Sequence, residues 1–177
     1  MKRTRFLTVT AMLSGMAVIL QYLGSFIGLK VGGFLDVELS DLPAMIGALA
    51  LGPLCGVAIE LIKNLLHCLI SHTAFVGELS NFLINGSFVF IAGLIYGHNK
   101  TKKTALIGLL SATVLYAAIG MALNYFVMLP LYNIIDPALK KELVLWTITP
   151  FNVVKGLILS AITLLVYKKL SVIIKKA

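Results

Sequence analysis

The chain has 177 residues, 59% of them hydrophobic and 12% charged, with a mean hydropathy of +1.00. Soluble domains carry about 25% charged residues, so the composition excludes a soluble domain and predicts an integral membrane protein. The formal net charge of +8 does not imply a nucleic-acid partner, because membrane proteins place basic residues in their loops to set orientation.

The first predicted helix runs from Leu7 to Phe26, after Lys2, Arg3 and Arg5. Its start resembles a signal peptide, but hydrophobicity continues past Leu20 with no small-x-small cleavage site, so the helix is read as retained. Ala11 and Gly15, four residues apart, give it a face that allows close helix approach. Gly24 to Ser40 is long for a connector and contains Gly24, Gly28, Gly32 and Gly33. It reads as a mobile cover or a short hairpin, with an ordinary flexible loop as the alternative. The second and third helices are placed at Leu39–Leu51 and Leu54–Ile70, divided by Gly52-Pro53. The alternative merges them into one broken helix. Leu79–Tyr96, Thr104–Leu129 and Trp146–Tyr167 complete the set. Asp136-Pro137 reads as an N-cap followed by proline at the first helical position, opening a short surface helix toward Leu145. Cys55 and Cys68 lie in apolar surroundings and read as small core residues.

Charge placement favours six spans over five. With a cytoplasmic N-terminus, six helices put Lys100, Lys102 and Lys103, then Lys168, Lys169, Lys175 and Lys176, on the inner side with the N-terminal cluster. Asp36, Glu38, Asp41, Glu78, Asp136 and Glu142 then fall at the outer side. Five spans would place the Lys100–Lys103 cluster outside, against the positive-inside rule. The fold class is therefore an all-α membrane protein with six transmembrane helices, both termini cytoplasmic, and residues 1–177 forming a single six-helix transmembrane domain.

Polar residues inside those helices point to function, because hydrocarbon cannot satisfy them. Asp41, Lys63, Asn64, Asn81, Asn85, Asn124, Asn152 and Lys155 come from five helices and share one stratum, with Lys63 and Asn64 near mid-membrane and Asn81 and Asn85 in the outer half. The economical arrangement is one polar pocket that opens outward. Asn152 and Lys155, three apart, share a helical face, as do Glu60 and Lys63. Other readings stand beside this one. Glu60 and Lys63 also read as a structural ion pair, the favoured reading for those two, and Asn81 and Asn85 as hydrogen-bonding contacts between helices. His67 and His72 do not share a face, so no metal site is read. There is no GxxxxGK[ST] loop for ATP hydrolysis and no nucleophile–base set, so the chain is not read as an enzyme. Without a visible inverted repeat it makes a poor stand-alone transporter. An ion-coupled small-molecule transporter using Glu60 and Lys63 as a relay is kept as the rival from another class.

Several stretches resemble a known family. They are Phe34-Leu35-Asp36-Val37-Glu38-Leu39-Ser40-Asp41-Leu42-Pro43-Ala44, Leu51-Gly52-Pro53-Leu54-Cys55-Gly56, and Glu60-Leu61-Ile62-Lys63-Asn64-Leu65. Leu123-Asn124-Tyr125, Leu129-Pro130-Leu131-Tyr132 and Pro150-Phe151-Asn152-Val153-Val154-Lys155-Gly156 follow in order. Together they resemble the riboflavin-specific substrate-binding (S) components of energy-coupling factor (ECF) transporters, the RibU family. The resemblance implies a multi-pass protein of the bacterial plasma membrane, surrounded by lipid, that captures riboflavin from outside. It also implies a transmembrane coupling (T) subunit and two cytosolic ATPases as partners, with riboflavin as transported ligand and no cofactor. By the same resemblance Asn124, Asn152 and Lys155 contact the flavin, and Ala11 and Gly15 lie on the face that meets the T subunit. Asp41, Lys63, Asn64, Asn81 and Asn85 are left as candidates for the ribityl chain. The alternative within transport is the same architecture carrying FMN or another vitamin.

Overall fold

The computed structural model describes residues 3–27, 30–31, 35–36, 39–70 and 75–175. Gly28, Gly32, Gly33, Phe34, Val37, Glu38, His72, Lys2 and Lys176 lie outside the described residues. Helix α1 (Arg3–Ile27) is followed by two short strands, β1 (Lys30–Val31) and β2 (Leu35–Asp36). The strands pair antiparallel, with Lys30 opposite Asp36 and Val31 opposite Leu35, so the glycine-rich connector contains the short hairpin named among its expected forms.

Helices α2 (Asp41–Leu51) and α3 (Pro53–His67) are separate, as expected. Gly52 divides them at φ +108°, a backbone conformation that glycine reaches and side-chain-bearing residues resist. Its N–H closes α2 on the Ala48 carbonyl at 3.1 Å. Pro53 then takes the first position of α3, where the missing N–H is not needed. Beyond them lie α4 (Val76–Asn99) and α5 (Lys102–Leu123). A π-helical turn (Asn124–Met128) joins α5 to the three residues of α6 (Leu129–Leu131). Helix α7 (Pro137–Leu143) joins α8 (Thr149–Lys175) through a second π-helical turn (Val144–Ile148). Asp136 caps α7 by accepting from the Ala138 N–H at 3.0 Å, as its place before proline predicts. The expected break near Leu145 does not occur, and the helix that opens at Pro137 runs on into α8.

Among the described residues, four helices are long and apolar enough to cross a membrane: Arg3–Gly24, Val76–Asn99, Lys102–Leu131 and Pro137–Val166. The other two are shorter than sequence spacing suggests. At 1.5 Å per residue, the 11 residues of α2 reach about 16 Å and the 15 of α3 about 22 Å, against a hydrocarbon core of about 30 Å. They form a hairpin inside the bundle. Helix α2 is its hub and packs on α1, α3, α4 and α8. Small residues permit this. Gly56 of α3 and Gly93 of α4 both lie against Ala48, where a β-carbon would press on side chain and backbone. The core is closed by Met45, Ile59, Phe88, Val89 and Leu109. Leu7, Met12, Ile19, Val114 and Leu165 face outward, an apolar perimeter that suits lipid.

Candidate functional site

Both π turns precede a proline at the same offset. Leu129-Pro130 and Thr149-Pro150 each directly follow a five-residue π turn. Proline inside a helix clashes with the carbonyl four residues back and cannot bond to it. Widening that turn removes the conflict, and the Leu129 and Thr149 N–H groups bond instead to the carbonyls of Asn124 and Val144, five residues back. The two turns touch each other and α5. Lys140 of α7 also lies 4.8 Å above the Tyr125 ring, a contact that ties α7 to the first π turn.

Asn124 and Asn152 converge on Gly120 of α5. The Asn124 amide donates to the Gly120 carbonyl at 2.8 Å, and a β-carbon added at Gly120 would collide with the Asn152 amide nitrogen. Both asparagines are buried. The Asn152 Nδ2 has no hydrogen-bond partner among the described residues. Leaving a buried donor unpaired costs about 1–3 kcal/mol, so such a group calls for an explanation, and a ligand acceptor supplies one. On α4, Asn85 donates to Asn81 at 2.7 Å. Helix α4 packs on the π turn that starts at Asn124, and Ile84 reaches the Gly120 surface.

One helical turn beyond Asn152, the Lys155 ammonium meets the Asp41 Oδ2 at 2.8 Å. The other Asp41 oxygen is ion-paired with Lys63. Lys63 also donates to the Ser40 Oγ at 2.9 Å and meets the Glu60 Oε2 at 3.0 Å. Glu60 thus pairs within its own helix, as its three-residue spacing from Lys63 allows. Two carboxylates and two ammoniums cancel in formal charge, which makes their shared burial tolerable. Asp41 opens α2, where the helix dipole favours an anion. Ser40, in the N-cap position, makes no side-chain cap, and its oxygen serves Lys63 instead.

The predicted residues therefore divide into groups. Asn124 and Asn152 are joined through Gly120, with Lys155 one turn along α8 and the Asn81–Asn85 pair on the neighbouring helix. Asp41 and Lys63 have no exposed surface and sit in the ion cluster behind Lys155, whose side chain is 13% exposed. Asn64 faces elsewhere. It donates to the Glu60 carbonyl at 2.8 Å and accepts from Gln21 of α1 at 3.5 Å. It also lines a cavity of about 340 Å³ between α3 and α4, with Leu61, Leu65, Phe75, Leu79 and Phe82. Ala11 and Gly15 are exposed on α1, and a β-carbon at Gly15 would meet open space. Sequence reasoning missed Ser40, Gly120 and the two π turns. Pro130 and Pro150 were the available signal for the turns, and a glycine one helical turn before Asn124 was the signal for Gly120.

The profile described as "ECF transporter, substrate-specific component" matches residues 5–167. The chain belongs to the family of ECF transporter substrate-specific components. The riboflavin transporter RibU of Staphylococcus aureus is 34% identical over 181 residues, covering 99% of this chain and 95% of that protein. The riboflavin transporter FmnP of Bacillus subtilis is 33% identical, covering 95% and 93%. A solved structure of the S component of a bacterial ECF transporter superposes with a TM-score of 0.81 at 32% identity, covering 98% of this chain and 99% of that one. As an ECF substrate-specific component, the chain is a multi-pass membrane protein that serves transport and not catalysis.

Proposed function

We propose that the chain is the riboflavin-binding subunit of an ECF-type importer. It takes the vitamin from the outer side and releases it inward in concert with a T subunit and two cytosolic ATPases. The observation that carries this reading is the unpartnered, buried amide of Asn152, held beside Asn124 by Gly120 and followed one turn later by Lys155. The pyrimidine edge of a flavin offers two carbonyl acceptors and one N–H donor. An asparagine amide can donate and accept, and a lysine donates only, so Asn124, Asn152 and Lys155 match that edge. The Asn81–Asn85 pair supplies further polar atoms toward the ribityl chain. A site made of such groups rejects guests that lack the matching edge more strongly than an apolar pocket does. The riboflavin transporters among the relatives support the same ligand.

The Lys100–Lys103 cluster and the basic N-terminus belong on the cytoplasmic side. Counting α2 and α3 as spans or as one short hairpin leaves both termini on the same side. The exposed Ala11–Gly15 face of α1 would meet the T subunit. The test is the absorption spectrum of the detergent-purified full-length chain from cells grown with riboflavin. A yellow protein with a flavin band that releases riboflavin, identified by mass spectrometry, is the expected result. A colourless protein that takes up no added riboflavin overturns the proposal, and released FMN would move it to the phosphorylated flavin.

A further inference from the structure

We propose that Asp41 is a positioning residue that holds Lys155 in place for the ligand, with Lys63, Glu60 and Ser40 holding Asp41 in turn. The inference rests on the riboflavin-binding reading and goes beyond it, because it gives the two most deeply buried polar candidates a role without ligand contact. Asp41 and Lys63 have 0% exposure and no surface to offer a guest. Lys155 does reach the surface. Its side chain is long, with many rotamers, and a binding group must be held close to its productive geometry by supporting contacts.

The geometry supplies that support in a chain of three links. Asp41 spends one carboxylate oxygen on Lys155 at 2.8 Å and the other on Lys63. Asp41, Glu60 and Ser40 present three oxygens to Lys63, whose ammonium has three N–H donors. The carboxylate that aims Lys155 is thereby fixed from behind by a cation that is itself surrounded. Asp41 also begins α2, the helix packed by α1, α3, α4 and α8, so the anchor stands on the most constrained element of the bundle. Removing Asp41 would leave Asn152 in place and let the Lys155 ammonium leave its side.

The test is a riboflavin titration of the purified full-length chain, read by quenching of flavin fluorescence, with a thermal melt of each variant. Wild type is compared with Asp41→Asn, Lys155→Met and the double variant Asp41→Asn/Lys155→Met. Asp41→Asn is expected to weaken binding by about tenfold to a hundredfold, and to add nothing further once Lys155 is already Met. A purely structural role for Asp41 predicts instead that its loss in the double variant equals its loss alone. The charge-balanced Lys63→Met/Glu60→Gln variant, which keeps the Asp41–Lys155 pair, keeps the comparison alive if Asp41→Asn misfolds. It should melt near the wild type yet bind more weakly, because Asp41 then aims Lys155 with no cation behind it. Wild-type affinity in Asp41→Asn and in the charge-balanced variant, or full additivity with Lys155→Met, overturns the positioning role while leaving riboflavin binding intact. A wild type that binds no riboflavin fails the functional reading first, and this inference falls with it.

Discussion

Asp41 and Lys155 join the start of α2 to the polar face of α8, oxygen to nitrogen at 2.8 Å. Asn152 stands one turn away on the same face as Lys155, its buried amide nitrogen without a partner among the described residues. A buried anion, a partly exposed cation and an amide donor thus lie in sequence, with the amide nearest the start of α8.

Lys155→Ala separates ligand binding from stability. Asp41 keeps Lys63 when Lys155 is lost, so no carboxylate is left wholly without a cation. Riboflavin affinity should fall by about tenfold to a hundredfold, the worth of a charge-assisted hydrogen bond, while the melting temperature moves little. Fluorescence titration beside a thermal melt checks both. Undiminished affinity would remove Lys155 from the site.

Lys63→Met should act first on stability. It strips the central cation from Asp41 and Glu60, both fully buried. Breaking a buried pair by removing one partner costs about 3–5 kcal/mol. Removing the second charge as well, in Lys63→Met/Glu60→Gln, leaves Asp41 paired with Lys155 and should recover most of that loss. Unfolding in a denaturing detergent titration reads the difference, and equal stability of the single and double variants would contradict the ion cluster.

Gly120→Ala tests the junction of the two asparagines. The added methyl meets the Asn152 amide nitrogen, and overpacking a tight site costs about 1–3 kcal/mol. Both stability and riboflavin affinity should drop. Shortening the obstacle in Gly120→Ala/Asn152→Ala should restore the melting temperature but not the affinity. A lower melt in the double variant than in the single one would place Asn152 elsewhere.

Much of this was legible from the chain, for identifiable reasons. The Gly52-Pro53 break, the Asp136 cap and the Glu60–Lys63 pair depend on neighbours within a few residues, and local rules reach that far. The link from Asp41 to Lys63 and Lys155 was not legible, because no helical spacing connects α2 to α3 and α8. Sequence depth put Asp41 and Lys63 in the right stratum but could not separate a group facing a guest from one enclosed by partners. Asn64 shows the same limit, since its neighbour Lys63 belongs to the ion cluster while Asn64 turns to Gln21. The continuous helices Lys102–Leu131 and Pro137–Val166 came out longer than the expected Thr104–Leu129 and Trp146–Tyr167, because one π turn carries the first past Pro130 and the other joins Pro137–Leu143 to the helix that contains Pro150.

Gly52→Ala probes the α2–α3 hairpin that carries Asp41 and Lys63. Gly52 sits at φ +108° and ψ 164°, a region a side-chain-bearing residue occupies only under strain of about 1–3 kcal/mol. Open space surrounds the position, so a loss of that size in the melt would be backbone strain and not collision. An unchanged melt would show that the turn relaxes freely.

The orientation of the bundle is tested by its two cysteines. Cys55 is fully buried in the α1–α3 seam and lies 3.2 Å from the Thr10 hydroxyl. Cys68 follows the last residue of α3 and is partly exposed. Reaction with a maleimide needs a thiolate that reagent can reach, so Cys68 should react and Cys55 should not. With a cytoplasmic N-terminus, the end of α3 lies at the outer side. A membrane-impermeant maleimide added to intact cells should therefore label Cys68, as read by mass spectrometry of the purified chain. Labelling that appears only after the cells are opened would reverse the topology. The candidate site would then face the cytoplasm, the wrong side for a protein that collects a vitamin from outside.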